Sequence, residues 1–120
     1  MLIYYASLTG NVQRFVEKLN IETKCIREEN ASEPYVLITY TFGFGEVPIE
    51  VKKWLKNNGH LMRAVAVSGN RNWGDNYGKA GDLIAQEYGV PLLQKFELAG
   101  TDEDVRIFNE RMLRFCDITN

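Results

Sequence analysis

Histidine occurs once, at position 60, and cysteine twice, at positions 25 and 116. One imidazole and two distant thiols cannot supply the closely spaced ligands of a zinc site, and there is no CxxC pair for redox exchange. Cys25 and Cys116 lie in apolar-periodic surroundings and read as buried free thiols. With a single histidine, no Ser-His-Asp constellation can be drawn, and the G-x-S-x-G elbow of the hydrolases is missing. Basic runs are absent too. The formal net charge is -2, so neither nucleic acid nor a membrane surface is an expected partner. No apolar stretch approaches the roughly 20 residues of a membrane span. Met1 passes directly into an apolar strand-like segment without a basic n-region or cleavage site, which makes a cytoplasmic location the expectation. Repeats, low-complexity segments and linkers are lacking. The 120 residues, 45% hydrophobic and 25% charged, are therefore expected to form one globular domain over 1–120.

What is present is an alternation of two periods. Residues 2–6 (LIYYA), 35–40 (YVLITY), 61–68 (LMRAVAVS) and 90–96 (VPLLQKF) are nearly continuous apolar runs, the pattern of strands covered on both faces. Residues 23–27 form a weaker edge strand. Between them the spacing turns helical: Val12, Phe15, Val16 and Leu19; Val47, Val51, Trp54 and Leu55; Ala80, Leu83, Ile84 and Tyr88; Val105, Phe108, Met112, Phe115 and Cys116. Gly59 and Gly89 follow helical stretches, where a left-handed residue is wanted, and Thr101 with Asp104 resembles a capping box with Asp in place of Glu. Strands alternating with helices predict an α/β fold: a doubly wound, five-stranded parallel sheet of order 2-1-3-4-5 with helices on both faces. In such a sheet a ligand sits beyond the carboxyl ends of the strands, where the strand order reverses.

Three loops fall on that edge, and seven of the ten glycines lie in or beside them: Gly10, Gly43, Gly45, Gly69, Gly74, Gly78 and Gly81. Such crowding argues for close approach of backbone to a bound group. In SLTGNV, residues 7–12, the Ser7 and Thr9 hydroxyls, the Asn11 amide and the free N–H groups of a first helical turn would converge on an anion such as a mononucleotide phosphate. Serine, threonine and asparagine also cap helices routinely, so plain capping is the competing reading. In TFGFGEVP, residues 41–48, Gly43 and Gly45 flank an exposed phenylalanine ahead of a helix that Pro48 would start. In residues 68–82, Trp73 and Tyr77 stand on a glycine-jointed loop with Asn70, Asn72 and Asn76 around them. Aromatic faces with amide edges suit a flat heteroaromatic ring with a polar rim, such as an isoalloxazine.

Other readings of these loops fail on spacing. The Walker pattern needs a glycine where this chain has Trp73 and Ser or Thr where it has Ala80. The first strand ends without the acidic cluster that a Mg²⁺-binding phospho-receiver requires. Glu28, Glu29, Lys52, Lys53 and Lys56 read as solvated faces.

SLTGN after the first strand resembles the flavodoxin phosphate loop. Together with YTFGFGEVP and SGNRNWGDNYG it closely resembles the NrdI family, the small flavodoxin-like partners of class Ib ribonucleotide reductase, along the whole chain. Residues 69–74, GNRNWG, are the most specific part of the match. Ordinary flavodoxins usually carry threonine where this chain has Val12, and are longer and more acidic around the flavin. The resemblance implies FMN as cofactor, its phosphate held by Ser7, Thr9, Gly10, Asn11 and Val12. It places Thr41, Phe42, Gly43, Phe44 and Gly45 on one side of the flavin ring, and Gly69, Asn70, Asn72, Trp73, Gly74 and Tyr77 on the other. No catalytic acid, base or metal ligand is implied. The implied role is that of a redox-active accessory protein whose reduced flavin, recharged by an unidentified reductant, turns dioxygen into superoxide or a related peroxide. That oxidant would assemble the dimanganese tyrosyl-radical cofactor in the small subunit of the reductase. A general electron carrier, and a domain holding another phosphorylated aromatic ligand, are the alternatives.

Overall fold

A computed structural model describes residues 1–119. The elements alternate along the chain as β1 (Leu2–Tyr5), α1 (Asn11–Glu17), β2 (Thr23–Cys25), β3 (Tyr35–Thr39), α2 (Ile49–Asn58), β4 (Met62–Gly69), α3 (Lys79–Tyr88), β5 (Leu92–Glu97) and α4 (Asp102–Thr119). All strand pairings are parallel, and the sheet order is β2-β1-β3-β4-β5. This is the doubly wound order that the alternating periods predict.

Successive residues of the central strands point to opposite faces, so an unbroken apolar run feeds two cores. Ile3, Val36, Ile38, Ala64 and Ala66 meet Phe15 of α1 and Phe108 and Met112 of α4 on one face. Leu2, Tyr4, Tyr35, Leu37 and Val65 meet Val51 and Leu55 of α2 and Ile84 of α3 on the other. The first core is pinned by Phe15 stacked on Phe96, with ring centroids 3.9 Å apart. Burying one such ring contributes about 1.5–3 kcal/mol. In the second core Trp54 packs against both Tyr4 and Tyr35 and donates its indole N–H to the Glu29 carbonyl at 3.1 Å.

Helix ends follow the expected chemistry in two places and depart from it in a third. The Thr101 hydroxyl accepts the Asp104 N–H at 3.1 Å while the Asp104 carboxylate accepts the Thr101 N–H at 2.8 Å, a reciprocal capping box at the start of α4. Gly89 closes α3 in the left-handed region at φ 64. Gly59 does not take that conformation: its φ is -63, and α2 runs on into a 3-10 turn. Glycine is required there by packing, because a Cβ would lie 2.3 Å from the Tyr88 ring. Gly81 likewise belongs to helix packing and not to a loop, since it is buried in α3 where a Cβ would meet Val67 at 2.6 Å. Pro48 is extended and precedes the first helical residue of α2.

The helical stripes hold except at their edges. Val47 lies ahead of α2, and Leu83 is 39% exposed instead of packed on the sheet. Cys25 and Cys116 are free thiols, half-buried rather than buried. Among the described residues no helix is long and apolar enough to cross a membrane, and no group of three His, Cys, Asp or Glu side chains converges as a metal site.

Candidate functional site

The loops after β1, β3 and β4 meet in a cleft of about 240 Å³ at the carboxyl edge of the sheet, the switch point of a doubly wound fold. Each wall is fixed by bonds that the strand ends impose.

The loop after β1 turns through Gly10, whose φ of 92 puts it in the left-handed region before α1 begins. Ser7 is buried, and its hydroxyl accepts the Gln13 N–H at 3.2 Å, which holds the loop against the first helical turn. Ser7, Thr9, Asn11 and Val12 all line the cleft, as does Leu8. The first N–H groups of a helix have no intrahelical acceptor, so this end of the cleft offers donors and a positive dipole end. Arg14 adds a full charge. Its guanidinium donates to Asn11 Oδ1 at 2.6 Å and lies over Gly10, where a Cβ would come within 3.0 Å of it.

The loop after β3 begins at Tyr40, which lines the cleft while its hydroxyl donates to Glu50 Oε2 at 2.5 Å. Burial first, then the hydrogen bond and charge of Glu50, push the Tyr40 phenol above its ordinary value of 10.0. Thr41 donates its hydroxyl to the Ser68 carbonyl at 2.9 Å, which ties this loop to β4. Phe42 and Glu46 then close a tight turn by exchanging two backbone bonds of 2.8 Å each. Its tip needs glycine, with φ 56 at Gly43 and 117 at Gly45.

The loop after β4 winds into a 3-10 turn, Arg71–Asn76, kinked at Gly74. The Asn70 side chain caps it by accepting the Asn72 N–H at 2.9 Å. Asn70 and the half-exposed indole of Trp73 face the cleft. Gly69 lies so close to Gly78 that a Cβ would stand 2.7 Å from the Gly78 nitrogen. The fourth wall is Leu98, after β5. Among the described residues it is the non-glycine residue with positive φ, 54, and it is held there by its N–H on the Gly69 carbonyl at 3.0 Å and the Ser68 hydroxyl on its own carbonyl at 2.6 Å. Such a conformation costs roughly 1–3 kcal/mol and persists where surrounding bonds enforce it.

A family model described as "NrdI Flavodoxin like" matches residues 3–110. The chain belongs to the NrdI family. The Protein NrdI of Macrococcus caseolyticus is 52% identical over 111 residues, covering 91% of this chain and 86% of that one. The Protein NrdI of Bacillus licheniformis is 51% identical over 114 residues, covering 93% and 87%. Two solved structures share the fold. The flavodoxin of Streptococcus pneumoniae TIGR4 superimposes with a TM-score of 0.74 at 22% identity over 97% of both chains. A short-chain flavodoxin associated with a non-canonical PDU bacterial microcompartment gives 0.68 at 18% identity, over 99% of this chain and 97% of that one.

The residues that the NrdI resemblance singles out divide between the cleft and its surroundings. Ser7, Thr9, Asn11, Val12, Thr41, Phe42, Gly43, Gly69, Asn70 and Trp73 line it. Gly10, Phe44, Gly45, Asn72 and Gly74 form the backbone and outer rim of the same loops. Tyr77 stands apart: its ring lies 5.7 Å from the Arg71 guanidinium and 5.9 Å from the Lys95 ammonium, and its hydroxyl is buried. Arg14, Tyr40 and Ser68 were not legible as site residues, because each sits at a strand or helix position whose spacing already explains it; Leu8 stands in the SLTGNV loop but carries no polar group, and Leu98 lies in a loop without a motif. Leu98 in particular carries no glycine or asparagine to betray its left-handed backbone.

Proposed function

We propose that this NrdI protein holds FMN in the cleft and acts as an accessory to class Ib ribonucleotide reductase, supplying oxidant to the small subunit. The observation that supports it most directly is the cleft itself, with an anion-seeking helix end on one side and the indole of Trp73 on the other. The donor set fits the group. The Ser7 and Thr9 hydroxyls, the Asn11 amide and the Arg14 charge suit a terminal phosphate dianion. Trp73, Phe42 and Tyr40 suit a planar ring.

Bound FMN would supply electron transfer and, when reduced, reaction with dioxygen to give superoxide or a related peroxide. The chain's own residues would orient the ring, hold its phosphate and limit water. Leu8 and Leu98 bring apolar surface to the cleft, while Thr41 and Ser68 lock two of its walls together. The charged residues around the rim are mixed: Arg14, Arg71 and Lys79 against Glu46, Asp75 and Glu97, whose carboxylate accepts the Arg71 N–H at 3.1 Å, with Asp82 already paired to Lys95 at 2.6 Å. A mixed rim repels a departing anion less than an acidic one does. The remaining parts of the reading are the dimanganese subunit as partner, dioxygen as substrate and a separate reductant.

The test is an anaerobic reductive titration followed by visible spectroscopy, then readmission of oxygen with superoxide trapped. Full reduction and rapid reoxidation with trapped superoxide is the expected result. A flavin that stops after one electron and resists oxygen would make the protein a general electron carrier, and a colourless protein that takes up no FMN would remove the reading altogether.

A further inference from the structure

Of the apolar stripes, Leu83 is 39% exposed, and Val47 is only partly buried where it packs against the edge of the second core. Both line a groove between α2 and α3 of about 730 Å³, floored also by Leu55, Ile84 and Tyr88. Val47, Leu83 and Lys52 continue into a second depression that reaches Phe44, which is 66% exposed, and Lys79. An apolar floor thus runs along the outside of the molecule from the Phe44 tip to Tyr88.

Its walls are unequal in charge. Lys52 and Lys56 stand one turn apart on the α2 wall, Lys79 stands at the end nearest Phe44, and the α3 wall carries Gln86 and Glu87. None of the three lysines holds a carboxylate among the described residues, whereas Lys24, Arg27, Lys95 and Arg106 each do. In a chain of net charge -2, this is an unneutralised basic edge beside uncovered apolar surface. Glu46 near Lys79 and Glu87 on the far wall exclude a uniformly acidic occupant and favour one that is acidic along a single side.

We propose that the α2–α3 groove docks an amphipathic helix of a partner protein, its apolar face on Val47 and Leu83 and its acidic edge along Lys52 and Lys56. A helix suits a trough whose two walls are themselves helices of ten residues each, about 15 Å long, which matches roughly three turns of an occupant. Salt pairing at this rim governs orientation and encounter, and the leucine and valine contacts supply the burial. The proposal does not depend on which cofactor fills the cleft.

The probe is a synthetic peptide of roughly fourteen residues, about 21 Å long as a helix, with leucines at helical spacing and glutamates along one edge. It is titrated into the isotope-labelled 120-residue chain as purified and followed by backbone amide shifts. Saturable shifts confined to 47–56 and 79–88, at least tenfold weaker for the double variant Lys52→Glu and Lys56→Glu and for Leu83→Ser, are expected. Lys53→Glu makes the charge change of either single substitution, half that of the double variant, on α2 outside the groove lining, and should leave affinity within about twofold. All these side chains are exposed, and thermal melts would report whether each variant keeps its fold. Equal binding of a lysine-edged peptide, equal weakening by Lys53→Glu, or no saturable shift would overturn the proposal. So would groove-dependent self-association in sedimentation, or binding to phosphatidylserine vesicles abolished by the same double variant, since the occupant would then be a second copy or a membrane.

Discussion

The ring of Phe44 stands edge-on to the indole of Trp73, with centroids 4.7 Å apart and planes at 85°. One ring comes from the loop after β3 and the other from the loop after β4, and both are substantially exposed. The pair therefore bridges the two loops across the mouth of the cleft. Replacing Trp73 with Ala removes that bridge and a face of the proposed ring site together. FMN affinity is expected to fall by on the order of 1 kcal/mol, or several-fold, measured by fluorescence titration. Unchanged affinity with an unchanged visible spectrum would show that Trp73 does not touch the ring.

Asn58 is a buried amide that satisfies three partners at once. It accepts the Ala31 N–H at 2.8 Å and donates to the Trp54 carbonyl at 2.8 Å and to Asn30 Oδ1 at 3.1 Å. Asn58→Ala should destabilise the protein by about 2–3 kcal/mol, since three part-buried hydrogen bonds are lost together. A chemical denaturation midpoint unchanged from the parent would refute that accounting.

Gly81→Ala and Gly89→Ala separate two reasons for glycine. The first drives a methyl to 2.6 Å from Val67 and 2.9 Å from Leu92, an overpacking cost of about 1–3 kcal/mol. The second meets open space and costs about 1 kcal/mol through its left-handed φ alone. Thermal melts should rank Gly81→Ala as the less stable variant, and the reverse order would mean that helix α3 yields readily against β4.

Glu50 carries a pH dependence of defined sign. Burial pushes its carboxyl upward, but the hydrogen bonds from Arg27 and Tyr40 and the Arg27 charge outweigh it and hold the group below its ordinary value. Arg27 grips it bidentately at 2.7 and 2.8 Å. A depressed folded value means that the stabilisation is present above the unfolded glutamate value of about 4.3 and is lost as pH falls through the folded one. Glu50→Gln should therefore melt lower than the parent at pH 7 by an amount of about 1 kcal/mol, with the gap narrowing in acid. A gap that stays constant down to about pH 3 would show that the charge is irrelevant.

The sheet order was legible because four of the five strands are apolar runs and each helix a stripe, and both signals survive without tertiary knowledge. The capping box at Thr101 was legible for the same local reason. What was hidden is tertiary. Gly59 looks like a left-handed helix stop, yet its backbone is helical and its lack of a side chain serves the Tyr88 ring. Tyr77 shares a loop with Trp73 but lies near Arg71 and Lys95, and nothing in its spacing distinguishes the two aromatics. Leu83 fits the stripe of α3 by periodicity, and only the path of α2 decides that it lies uncovered.

The cleft draws its walls from Ser7, Thr41, Asn70 and Leu98, positions spread over most of the chain. No pair of these walls can meet until intervening strands have paired, so the cleft belongs to the late, long-range part of folding. An occupant that recognises only the finished cleft has little to grip in the folding transition state. It should consequently act as a brake on unfolding and leave the refolding rate almost untouched, making the lifetime of the folded chain, rather than its speed of formation, the quantity that loading controls.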